Sequence, residues 1–167
     1  MLPNNGNIVM AARQAASLCP EADVRVIPDR SIGEGYAALS MFDPTSDDPD
    51  RIERELLEAT EGVETGLVSR AVRTTQVDGV AIRENDYIGF TGKKMLVSRE
   101  TPEETAIELS GILGAKDREF VIVIYGKGAS EDARKAFRDE MKERFPRTEL
   151  CEIDGGQDVY EFILIFQ

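Results

Sequence analysis

The chain has 167 residues, enough for one mid-sized domain or two small lobes with a real core. Its 41% hydrophobic and 31% charged content suits a soluble globular protein, and its formal net charge of −12 excludes binding to a nucleic-acid phosphate backbone or to an anionic lipid surface. It has no histidine, which removes the usual zinc ligands, serine–histidine triads and the commonest general base. The two cysteines, Cys19 and Cys151, are expected to be reduced thiols of a cytoplasmic protein, and no apolar run reaches membrane-spanning length.

The chain opens on Leu2-Pro3-Asn4-Asn5-Gly6-Asn7, which reads as a strand end, a polar turn and a helix start. The strand it ends is nearly absent, so the chain is expected to be a piece whose first lobe is truncated. A helix follows from about Asn7 to Leu18, capped by Asn5 or Asn7. Val24 to Ile27 reads as a short strand. Ser31-Ile32-Gly33-Glu34 is a capping box opening a helix with Ile32, Tyr36 and Leu39 on one face. Asp48-Pro49 starts another helix, with Ile52, Leu56, Ala59 and Val63 at helical spacing. Residues 1–63 are therefore expected to form part of a parallel-sheet α/β lobe.

Residues 64–167 are expected to form a second, mixed α/β lobe. Gly66 to Arg73 reads as a strand, Thr74 to Gly79 as a turn, and Val80 to Ile82 as a strand. Tyr87 to Phe90 and Met95 to Val97 flank Thr91-Gly92-Lys93 as a hairpin. Thr101-Pro102-Glu103-Glu104 opens a helix with Ala106, Leu109, Ile112 and Leu113 turned inward and Gly114 at its end. Phe120 to Tyr125 has the unbroken apolar character of a strand buried on both faces. It is followed by a helix from Ser130 and a strand at Leu150–Ile153, a right-handed βαβ unit. Val159 to Phe166 is the expected last strand. The fold class is thus α/β in two small lobes.

Four loops could carry function. Asn4 and Asn5 could bind a carboxylate or phosphate at a helix N-terminus, or simply cap a turn. Gly126-Lys127-Gly128 lacks the spacing of a phosphate loop and is explained by a plain turn. Gly155 and Gly156 could admit a ligand close to the backbone, and serve equally well in a turn between strands. The tip Arg73 to Gly79 gathers an arginine, hydroxyls and an acid; loops on a rigid scaffold often carry binding residues, while many such tips are only solvated. No nucleophile–base pair stands out, so an autonomous hydrolase or kinase is not expected.

Several stretches, in order along the chain, resemble the C-terminal region of the ATP-binding subunit of bacterial fatty acid kinase, a family often described as dihydroxyacetone kinase-like. They are Leu2-Pro3-Asn4-Asn5 through Ala12, Val26-Ile27-Pro28, Ile32 to Leu39, Phe42-Asp43-Pro44, Ala71 to Gly79 and Gly155 to Tyr160. The family reads Asp where this chain has Thr74, so a role for that acid does not transfer. The resemblance implies a DegV-like fold and a docking module for a separate fatty-acid-binding, DegV-like subunit. Mg–ATP would then belong to an N-terminal kinase domain, with no cofactor and no metal in this chain. Arg73, Thr75 and Asp78 become candidate partner contacts. The alternative is a DegV-type binder of an acyl chain or anion, using Asn4, Asn5, Gly155 and Gly156. An exposed sheet edge would also invite pairing with a second copy.

Overall fold

A computed structural model describes residues 1–167, which fall into two units, Met1–Val63 and Glu64–Gln167. The first unit carries three helices: α1 (Gly6–Ser17), α2 (Ile32–Ser40) and α3 (Pro49–Thr60). Each begins where a side chain can accept the free N–H groups of a first turn. Asn5 accepts from the Asn7 N–H, Ser31 from Glu34, and Asp48 from Asp50 and Arg51, with Pro49 inside the first turn.

Two expectations fail in this unit. Val24 to Ile27 is extended but joins no sheet. Its pairing is limited to Met1, whose amino group donates to the Arg25 carbonyl (2.6 Å) and whose carbonyl accepts from the Ile27 N–H (3.0 Å). The two bonds flank Val26, the pattern of a parallel pair, but one residue cannot build a ladder. The face of α2 is also misassigned. Ile32 and Leu39 are exposed, and the buried residues are Gly33, Gly35, Ala37 and Ala38. Small side chains let this helix approach its neighbours closely, and that need outweighs the pull of the larger residues. Helix α3 packs with α2 but has no fully buried residue. Arg25 ties the extended segment to α3 through Asp50 (2.7 Å) and Glu53 (2.9 Å).

The second unit is built on a six-stranded sheet in the order β5-β4-β1-β8-β6-β7. Its strands are β1 (Glu64–Arg70), β4 (Tyr87–Thr91), β5 (Lys94–Arg99), β6 (Phe120–Tyr125), β7 (Glu149–Asp154) and β8 (Phe162–Phe166). β2 (Thr75–Val77) and β3 (Val80–Ile82) form a separate hairpin. Helices α4 (Pro102–Ile112) and α5 (Glu131–Arg144) pack with each other, and α4 also lies on β1, β4 and β5. β6 and β7 run parallel on either side of α5, as the βαβ reading requires. β8 is inserted antiparallel between β1 and β6, pairing Leu164 with Gly66 on one side and Val123 on the other.

The core follows the two-residue period of the strands. Val68, Val121, Val123, Phe162, Leu164 and Phe166 meet Leu109, Phe137 and Met141 from the helices, all buried. Phe162 stacks edge-on against both Tyr125 and Phe137, at 5.4 and 5.2 Å between centroids. Gly66 and Gly89 leave room for Leu109, because a Cβ at either would lie 3.0–3.3 Å from its side chain.

Boundaries shift where tertiary contacts win. β1 stops at Arg70, since Ala71 turns inward and exchanges backbone bonds with Asn85 and Asp86. Thr75 to Val77, expected as turn, is the first strand of the hairpin. Asp78 and Gly79, with φ of 52° and 83°, alone make its turn, the left-handed pair that two-residue hairpins require. Ile112 points to solvent rather than inward, and the last strand begins at Phe162, after an exposed Val159.

Candidate functional site

The candidate residues fall in three places. Within the first unit, Asn4 and Asn5 form the corner before α1. Asn4 sits at a left-handed φ of 55°, and its N–H donates to Asp29 Oδ2 (3.1 Å). Asn5 is committed to capping through its Oδ1, 2.9 Å from the Asn7 nitrogen. The Asn4 side chain lies over Gly35 of α2, where a Cβ would come within 1.9 Å of Asn4 Oδ1 and 2.6 Å of Asp29 Oδ2. Glycine at 35 therefore lets the two helix starts converge.

Asp29 is the residue that sequence reasoning missed. It is 1% exposed, and its Oδ1 has no hydrogen-bond partner. Burial pushes its carboxyl above the ordinary range, against the opposing pull of the Asn4 N–H. The signal available was its place just after Pro28 and before a capping serine, which does not distinguish it from any loop aspartate.

In the second unit, Thr75 and Asp78 belong to the β2–β3 hairpin, and Arg73 to the segment that leads into it. Arg73 is exposed and makes no ion pair, while Thr75 is half-buried opposite Ile82. Asp78 is exposed, but its Oδ2 accepts from the Met95 N–H at 2.8 Å and fixes the hairpin tip to β5. Thr74 Oγ1 accepts from the Glu84 N–H (3.0 Å) and fixes its base. Arg73, Gln76 and the largely exposed Val72 are thus displayed on a braced support, with Val77 only about one-third exposed beside them.

Gly155 and Gly156 lie in the β7–β8 loop, which folds over the carboxyl end of β6. In an open α/β sheet that corner is the usual ligand crevice. Here the chain itself fills it. Gly126 N–H donates to the Glu161 carbonyl (2.9 Å) and Lys127 N–H to the Gln157 carbonyl (3.0 Å). Gln157 Nε2 donates to the carbonyls of Tyr160 (3.0 Å) and Ile124 (3.3 Å). A Cβ on Gly155 would fall 2.3 Å from both Gln157 Oε1 and Ile124 Cγ2, so its missing side chain makes room for the chain's own atoms. Gly156, at φ 64°, has open space beside it. The Glu161 carboxylate packs against Gly128 at the start of α5, and burial raises its pKa above the ordinary range, partly offset by Arg70.

Along β7 the groups are paired rather than poised. Glu152 receives two bonds from Arg138 (2.7 and 2.8 Å) and one from the Tyr125 hydroxyl (2.8 Å). The Arg138 guanidinium holds Glu152 below the carboxylate range, and burial followed by the Glu152 contact drives the Tyr125 phenol upward. Arg134 sits 4.8 Å over the Tyr125 ring and pairs with Asp154. This network holds α5 to β7.

Comparison with known proteins gives a consistent result. The chain is 37% identical over 163 residues to an uncharacterised protein of Staphylococcus saprophyticus and 36% identical to one of Staphylococcus haemolyticus; each match covers 98% of this chain. The chain spans 29% of the length of these relatives. Among solved structures, a DegV family protein of Corynebacterium glutamicum superposes with a TM-score of 0.62 at 15% identity, covering 99% of this chain and 74% of that one. The fatty acid kinase B3 protein of Streptococcus pneumoniae, solved loaded with linoleic acid, gives 0.61 at 9% identity, covering 97% and 66%. The fold is therefore DegV-like. No helix is long and apolar enough to cross a membrane. Residues 1–167 match the FakA-like C-terminal family of fatty acid kinase, and the chain belongs to that family.

Proposed function

We propose that this chain is a docking module of a fatty acid kinase. It engages a DegV-like subunit carrying a fatty acid, so that a kinase domain elsewhere in the longer protein transfers the γ-phosphoryl group of Mg–ATP to the acyl carboxylate. The observation that carries this reading is the match of the whole chain to the FakA-like C-terminal family, in a chain that spans 29% of its relatives' length. Catalysis is assigned to the rest of that length, in the cytoplasm, and recognition to this part.

The β2–β3 hairpin is the contact surface this reading favours. Arg73 and Thr75 meet the partner, and Asp78 acts indirectly by bracing the tip against Met95. Calorimetric titration of this chain with the fatty-acid-loaded subunit from the same organism tests the proposal. A saturable 1:1 complex, weakened about tenfold by Arg73→Ala, is the expected result. If neither this chain nor the full-length kinase protein binds, the reading falls.

The second reading, a binder of an acyl chain or small anion in its own right, draws on the Asn4–Asn5 corner and on Gly156. It is favoured by one observation, the unpartnered oxygen of Asp29 beside two helix starts. Mass spectrometry of organic extracts from purified protein decides it: a co-purifying lipid supports this reading, and repeated absence rejects it.

A further inference from the structure

In the first unit, residues 24–27 are extended without a sheet, and the hydrogen bonds of one edge are only partly made. In a strand the N–H and C=O of one residue face the same edge, and alternate residues share it. Arg25 and Ile27 therefore both face Met1. Met1 takes the Arg25 carbonyl (2.6 Å) and the Ile27 N–H (3.0 Å), and the Ile27 carbonyl accepts from the Asp29 N–H (2.9 Å). The Arg25 N–H, on that same edge, has no partner. A parallel strand continued backward from Met1 would bring the carbonyl of the residue two places earlier to that N–H.

The side chains point to the same completion. In this register the residue just before Met1 lies opposite Arg25 and shares the face of Arg25 and Ile27. Both of these line a recess of about 260 Å³, whose apolar wall is Phe42, Ile52 and Leu56. The charges beside it are already matched, since Arg25 pairs with Asp23 (3.1 Å) and Glu53 (2.9 Å). What it offers is room for an apolar side chain. The unit also has little core of its own. Val9, Ala12, Ile27, Ala37 and Ala38 are buried, while Leu39, Met41 and Phe42 stand roughly half exposed.

We propose that the occupant is a strand of the longer protein that runs directly into Met1. It pairs parallel with residues 24–27 and seats the apolar side chain of its last residue in the recess. The chain spans 29% of its relatives' length and matches a C-terminal family throughout, which leaves the remaining length of those relatives ahead of it. A separate chain would have to compete with Met1 for the Arg25 carbonyl and the Ile27 N–H, whereas a continuous strand extends bonds already made. The inference stands apart from the docking reading, because it concerns the first unit alone.

Amide hydrogen exchange followed by NMR tests it, comparing this chain with the same chain preceded by its natural upstream residues. In the longer chain the Arg25 amide should exchange at least about tenfold more slowly, and the Val26 amide, on the opposite edge, should not change. Unchanged Arg25 exchange, or protection of Val26 in its place, overturns the proposal, as does a natural protein that starts at Met1. Protection of Arg25 that grows with the concentration of the shorter chain would put a second copy on this edge and overturns it too. Ile52→Ala in both chains tests the recess, with amide spectra checking that each variant is folded. The drop in Tm should be larger in the longer chain, where the seated side chain loses a contact. Equal drops overturn the seating of that side chain.

Discussion

Two carboxylates, one in each unit, show opposite ways of placing an acid out of water. Glu152 in the second unit has both oxygens occupied by the Arg138 guanidinium and the Tyr125 hydroxyl. Asp29 in the first unit is the more deeply buried, yet it receives one backbone N–H from Asn4 and keeps an unpartnered Oδ1. The first acid is stabilised as an anion and the second is destabilised as one. Burial alone does not set the sign; the donors supplied do. The same contrast holds for the packing around them. The second unit closes its β6 corner with backbone, whereas the first crowds Gly35 with side chains.

The sharpest test of that packing contrast is Gly126→Ala. Its Cβ would lie 2.0 Å from the Tyr160 carbonyl oxygen, a backbone atom that can move only if the β7–β8 loop moves. A loss of about 3 kcal/mol in urea unfolding is expected, at the upper end for overpacking. A loss near zero would mean that the loop is not fixed as described.

Next in size is Glu152→Ala, which strands the Tyr125 hydroxyl and the Arg138 guanidinium at a partly exposed site. A cost of about 1–2 kcal/mol is expected at neutral pH. The folded-state pKa of Glu152 lies below its ordinary 4.5, so its contribution is present above that value and is lost as pH falls through the lowered one. The stability difference between wild type and Glu152→Gln should therefore shrink on acidification.

Gly35→Ala, the counterpart of Gly126→Ala in the first unit, should cost less. The obstructing atoms are the Asn4 and Asp29 side chains, and alanine regains about 1 kcal/mol of helix propensity. A net loss of about 1 kcal/mol, with altered amide shifts at Asn4 and Asp29, is expected. The smallest effect is Asp29→Asn. Because the Asp29 pKa is raised above 3.8, the folded chain holds that proton more tightly than the unfolded one, and stability falls as pH rises through the raised value. The variant should remove that slope. A melting series from acid to neutral pH checks it, and parallel curves for wild type and variant would contradict this reading of Asp29.

How far the candidate sites were legible follows the same division. The turn residues Asp78 and Gly79 were visible as a dipeptide, but the bond from Met95 to Asp78 joins residues 17 apart and left no local mark. Asp78 therefore stands out as a displayed acid in the sequence and serves as a brace in the fold. Gly155 looked open to a ligand because glycine removes bulk. What takes that space is Ile124, from β6, together with the side chain of Gln157 in the same loop. Asp29 and Ser98 gave no distinguishing signal, since an unpaired oxygen is a property of everything around it.

What the sequence determined by itself is local. The caps Asn5, Ser31, Asp48, Thr101 and Ser130 start their helices, each by accepting an N–H two or three residues ahead. The apolar run Phe120–Tyr125 and the helix after it dictate a parallel βαβ unit, because a parallel return needs a crossover. Tertiary structure decided which face of α2 is buried, the insertion of β8 between β1 and β6, and the closing of the β6 corner by the loop from Gly155 to Glu161. Those outcomes depend on packing between residues remote in the chain, where close approach and filled space outweigh the preferences any short stretch can express.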